Sequence, residues 1–83
     1  FKKISKGAFE ISARMLIEDF EKKSGKFVNI QEKDKVDTIG GLVFVLAERV
    51  PGRGEVINHP SGIEFSVVEV DARRIKKLLV QFK

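Results

Sequence analysis

The chain has 83 residues and carries 16 Lys and Arg against 12 Asp and Glu, with no cysteine and one histidine. A chain of this length forms one small domain that buries only somewhat more than about 60% of its unfolded surface. Without cysteine, neither disulfides nor thiolate metal sites supplement that core, and a single histidine gives no basis for a zinc site. Its longest apolar run, Leu42 to Ala47, is too short to span a bilayer, and no signal-peptide pattern opens the chain, so the expectation is a soluble domain without direct membrane insertion.

In chain order, Phe1 to Lys6 reads as a linker remnant, basic through Lys2, Lys3 and Lys6, and the absence of an initial methionine fits a piece of a longer protein. The folded domain is expected over residues 7–83. Ala8 to Ser12 reads as a short strand. Ser12 is then a candidate N-cap for a helix from Ala13 to about Ser24, where Ala13, Leu16, Ile17 and Phe20 recur at helical spacing and Gly25 provides the stop. Lys26 to Val36 reads as a connection with weak strand character.

Asp37-Thr38-Ile39-Gly40-Gly41 opens a second helix running to about Arg49. Asp37 or Thr38 can accept from the free amides of its first turn, and Ile39, Leu42, Val43, Leu46, Ala47 and Val50 form one stripe. Pro51-Gly52-Arg53-Gly54 is expected to stop it. Two strands, Glu55 to Asn58 and Ile63 to Val70, flank the turn-forming His59-Pro60-Ser61-Gly62. A third runs from Arg74 to Phe82 after a turn at Asp71-Ala72-Arg73. Ile63, Phe65 and Val67 alternate on one face whereas Val68 and Val70 take the other, so a bulge or a doubly covered strand is expected at Val67-Val68. In the last strand Leu78, Val80 and Phe82 face one way, Ile75 and Leu79 the other. Apolar on both faces, Leu78 to Phe82 is expected either at the centre of the sheet or against a second subunit. The fold class is therefore α+β, two helices on a small, mainly antiparallel sheet in the order β-α-α-β-β-β.

The sequence offers no catalytic constellation and no metal-ligand cluster. His59, beside Pro60 in a turn, reads as a loop histidine. Asp71 with Arg73 and Arg74 crowds one turn: the simpler account has Asp71 accepting from the turn's own amides, the sharper one makes an arginine a clamp for phosphate or carboxylate. Gly40 and Gly41 each cost about 1 kcal/mol against alanine inside a helix, so something comes close to that backbone. It is either a packed neighbour, the favoured reading, or an anion at the helix start. No GxGxxG or GxxxxGK[ST] pattern surrounds them. The candidate ligand residues are Gly40, Gly41, Arg53, Arg73 and Arg74. Interspersed acidic residues and the lack of Tyr and Trp speak against nucleic acid, despite the net charge of +4.

Three segments in order, Asp37-Thr38-Ile39-Gly40-Gly41-Leu42, Val50-Pro51-Gly52-Arg53-Gly54-Glu55, and Phe65-x-Val67 followed by Asp71-x-Arg73-Arg74-Ile75, resemble the transporter-associated domain of the CorC/HlyC family. The resemblance spans about Gly7 to Phe82. Its signature falls on Asp37, Thr38, Gly40, Gly41, Pro51, Gly54, Asp71, Arg74 and Ile75, with Ala72 departing from an expected glycine. It implies a C-terminal cytoplasmic domain that follows a CBS pair, and often a membrane-embedded domain, in magnesium and cobalt efflux or hemolysin-like proteins. There it modulates ion transport without catalysis, its partners being the neighbouring CBS and membrane domains or a second copy in a homodimer. The family fold is similar to part of the FAD-binding fold of the vanillyl-alcohol oxidase type. FAD or an adenine nucleotide follows from that likeness alone, and no cofactor is predicted from the residues.

Overall fold

The computed structural model describes residues 1–25, 36–60 and 62–82. The expected connection over 26–35 lies outside them. Five strands and two helices follow in order: β1 (Lys2–Ser5), β2 (Ala8–Ser12), α1 (Ile17–Ser24), α2 (Ile39–Ala47), β3 (Val56–Asn58), β4 (Glu64–Val70) and β5 (Ile75–Gln81). They form one antiparallel sheet in the spatial order β1-β2-β5-β4-β3.

Lys2–Ser5 is thus a strand, not a linker. It pairs with β2, and the Phe1 ring before it lies 5.3 Å from Phe9 and 6.1 Å from Phe20, so an aromatic anchor secures an otherwise charged edge. β5 is the central strand. Both its edges are filled, by β2 and β4, which leaves Leu78 to Phe82 no free edge for a second subunit.

Register builds the core directly. Phe9, Val80 and Phe65 are cross-strand neighbours in one row, and Ile11, Leu78 and Val67 in the next, all buried on the face covered by the helices. α1 adds Ile17 and Phe20; α2 adds Ile39, Leu42 and Val43. The intervening residues, Glu10, Leu79, Ser66 and Lys77 among them, take the other face, where the Lys77 ammonium lies 3.6 Å from the Glu10 carboxylate. The irregularity at Val67-Val68 is a bulge: Val67 pairs with Leu78 and Glu69 with the next residue, Lys77, so Val68 is the extra residue. A second shift, Glu69 to Lys77 and then Val70 to Ile75, leaves Lys76 without a partner on β4. It restores Ile75 to the core beside Leu78, against the expectation from simple alternation.

Two helix boundaries differ from those expected. The Ala13 N–H donates to the Lys76 carbonyl at 2.9 Å, so the chain stays paired with β5 past Ser12, and α1 starts only at Ile17. Ser12 does not cap α1; its hydroxyl accepts from the Arg14 N–H within a tight turn. Leu16 takes the N-cap position with no side-chain bond and stays exposed, outside the apolar stripe. α2 ends at Glu48, whose φ of 60° is left-handed, before the Pro51 turn is reached. Gly25 closes α1 in the left-handed region at φ 72°, as expected.

Candidate functional site

The two helix entries are laced together. Leu16 and Thr38 form an isolated antiparallel bridge, with the Ile17 N–H donating to the Asp37 carbonyl at 2.8 Å and the Ile39 N–H to the Met15 carbonyl at 3.0 Å. The Gly40 N–H then donates to the Ala13 carbonyl at 2.9 Å, and the Gly41 N–H to the Thr38 hydroxyl at 3.0 Å. Thr38 is therefore the cap of α2, and the amides that open a helix, ordinarily free to hold an anion, are spent internally.

This lacing explains the glycine pair. A Cβ on Gly40 would stand 2.7 Å from both the Cβ and the carbonyl oxygen of Ala13, an overlap that only backbone movement relieves. On Gly41 it would lie 3.0 Å from the Thr38 hydroxyl, pressing on the cap. What approaches the helix start is the end of β2.

Above the junction lies a groove of about 420 Å³. Its floor is made of buried or half-buried residues: Ala13, Thr38, Gly40, Gly41 and Ile75. Its rim consists of the exposed side chains of Arg14, Phe44, Arg73 and Arg74. Of the five expected ligand residues, four meet here. Arg53 does not; it sits in the turn between α2 and β3. Arg14 and Phe44 escaped sequence reading. Arg14 reaches the rim because β2 continues through Ala13 and then turns, whereas a helix from Ala13 would have placed it on a solvent face. For Phe44, its place outside the apolar stripe of α2 was the only signal.

Asp71 shapes one side of the rim. Its Oδ1 accepts from the Arg73 N–H at 2.8 Å and the Arg74 N–H at 2.9 Å, and these two bonds hold its carboxyl below the usual carboxylate range, helped by Lys76 and Arg74. The turn thus closes through Asp71 while both arginine side chains project outward. Elsewhere the sequence hid one good ion pair: Arg49 grips both oxygens of Glu55 at 2.7 and 2.8 Å, tying the end of α2 to the residue before β3. His59 lies away from the groove, buried in its hairpin, where its backbone N–H donates to the Ile63 carbonyl at 2.8 Å; burial pushes the imidazole pKa down.

Among the described residues no group of three or more His, Asp and Glu side chains comes together, and no helix is long and apolar enough to cross a membrane. The fold and groove define a small α+β domain with two helices on a five-stranded antiparallel sheet and one cation-rimmed concavity. Residues 2–83 match the CorC_HlyC family, described as the transporter associated domain, and the chain belongs to that family. It is 38% identical over 79 residues to the magnesium and cobalt efflux protein CorC of Vibrio cholerae, covering 95% of this chain but 26% of that protein. It is also similar to the solved CorC-associated region of a putative Mg2+ and Co2+ transporter from Neisseria meningitidis MC58, with a TM-score of 0.80 and 30% identity over 99% of this chain and 96% of that one. The transporter associated domain of a CBS domain protein from Porphyromonas gingivalis shares the fold, with a TM-score of 0.78 at 22% identity over 99% and 95% of the two chains. The chain thus spans about a quarter of the length of the curated relatives it matches.

Proposed function

We propose that this domain is a non-enzymatic regulatory and interaction module of a larger ion-transport protein of the magnesium and cobalt efflux or hemolysin-like kind. It works on the cytoplasmic side and contacts neighbouring CBS and membrane domains. The observation that carries this reading is the match of nearly the whole chain to about a quarter of an efflux protein, within a family described as transporter associated. Acting through contacts, such a module biases a conformational equilibrium in the parent, with a strength limited by its differential affinity for the two states. Deleting the domain from the parent and following magnesium and cobalt efflux from loaded vesicles tests this: an altered rate with the transporter still inserted is expected, and an unchanged rate contradicts it.

Self-association belongs to the same reading. With β5 closed on both sides, a second copy would pair through an edge strand, β1 or β3. Sedimentation showing a strict monomer at high concentration removes it.

A second reading, an adenine-nucleotide or flavin site, has one observation in its favour: Gly40, Gly41, Arg73 and Arg74 do share a groove. Against it, the α2 amides that would cradle a phosphate already have partners. A rise in melting temperature with FAD or AMP supports this reading, and no rise dismisses it.

A further inference from the structure

We infer that the groove above the α2 entry is a docking site for an acidic peptide segment that also carries aliphatic side chains. Arg14, Arg73 and Arg74 take its carboxylates, and Phe44 takes an apolar side chain. This rests on the interaction-module reading and names the chemistry of its partner.

Charge is the first argument. Three guanidinium groups surround one concavity, no acidic residue lines it, and among the described residues none of the three forms an ion pair. Other cations of the domain do find carboxylates: Arg49 with Glu55, Lys22 with Glu18, Lys77 with Glu10. Asp71, in the turn that carries Arg73 and Arg74, has its Oδ1 committed to their two backbone amides and its Oδ2 4.0 Å from the Lys76 ammonium. One carboxylate so engaged leaves the rim with excess positive charge that a partner's carboxylates would neutralise.

Geometry supplies the second argument. The amides of Ile39, Gly40 and Gly41 are all bonded, so recognition falls to side-chain forks, which match planar carboxylates two bonds at a time. Phe44 is 49% exposed on a helix whose other apolar residues turn mostly inward. Standing among arginines, it gives the site an apolar contact that neither a free ion nor a bare polyanion would use. The volume, about 420 Å³, suits a few side chains rather than a folded surface.

Fluorescence anisotropy of a short labelled peptide alternating Glu and Leu, titrated with the 83-residue chain, tests the proposal. Saturable binding is expected, weakening with added salt, and the double variant Arg73→Glu/Arg74→Glu should lose about tenfold or more in affinity. Phe44→Ser should weaken it with no change in charge. The control is Lys22→Glu/Arg53→Glu, which makes the same change in net charge away from the groove and should stay within about twofold, since its sites share no contact with the peptide. Equal losses in both double variants mean unspecific charge attraction and overturn the proposal, as does the absence of peptide binding or binding of AMP in its place. Melting curves of each variant, expected to match the parent chain, exclude loss by misfolding; a variant that unfolds is replaced by Arg73→Gln/Arg74→Gln and judged by the same criterion. Should efflux respond to deletion of the domain while the peptide fails to bind, the module reading stands and the groove assignment falls.

Discussion

The floor and the rim of the groove lie side by side, yet opposite physics holds them. On the floor every amide of the α2 entry has a partner, Gly40 admits no further atom, and Ala13 and Ile75 are buried. On the rim three guanidinium groups and an aromatic ring face outward, and among the described residues none of the three cations forms an ion pair. The glycine pair and the arginines share one concavity, but the glycines build it and the arginines give it something to bind with. Substitutions on the floor should therefore change stability, and those on the rim should change binding.

Gly40→Ala should have the largest effect. Its Cβ meets Ala13 at 2.7 Å, side chain and backbone alike, and overpacking of this kind costs about 1–3 kcal/mol. Denaturant unfolding would show it as a lower midpoint with an unchanged slope. Adding Ala13→Gly should restore only part of the loss, because the carbonyl overlap remains; full rescue would mean that the Cβ contact alone matters.

Thr38→Ala removes the hydroxyl that caps α2 through Gly41 and should cost about 1 kcal/mol, measured the same way. Arg73→Gln/Arg74→Gln, two exposed changes whose backbone bonds to Asp71 survive, should stay within about 0.5 kcal/mol of the parent chain. A large loss here would collapse the contrast between floor and rim.

The smallest effect is one of pH. The Asp71 carboxyl is held below its ordinary value in the folded state, so its contribution is present above the unfolded pKa and is lost as pH falls through the folded one. Melting curves of the parent chain and Asp71→Ala should accordingly differ near neutrality and converge in acid. His59 acts in a higher window. Burial lowers its folded pKa, so protonation favours the unfolded chain, and stability should decline as pH drops below about 6.5 in the parent chain but less so in His59→Gln.

Much of this was legible in the sequence because the signals were local. The stripe from Ile39 to Val43, a cap at Asp37 or Thr38, the Gly25 stop, the hairpin around Pro60 and the Val67-Val68 parity break each depend on residues a few positions apart. What escaped was non-local. Lys2–Ser5 looks like linker because its four exposed residues carry no periodicity, and only pairing with β2 makes it a strand. The start of α1 is not legible locally: Ala13 has helical spacing to Ile17 and Phe20, but its N–H donates to Lys76, far along the chain. The site was half visible: the glycines and the Asp71 turn stood out by type, whereas Arg14 joins them through that same displaced boundary.

The central claim, amides turned inward and cations turned outward, is tested most directly by NMR on the isotopically labelled chain titrated with the Glu-Leu peptide. The account predicts that the Ile39, Gly40 and Gly41 amides exchange slowly without ligand and barely shift on its addition, while the Nε–H signals of Arg14, Arg73 and Arg74 move together. Fast-exchanging amides at Ile39 to Gly41 that become protected and shift only when the anion arrives, with the arginine signals unmoved, would contradict it.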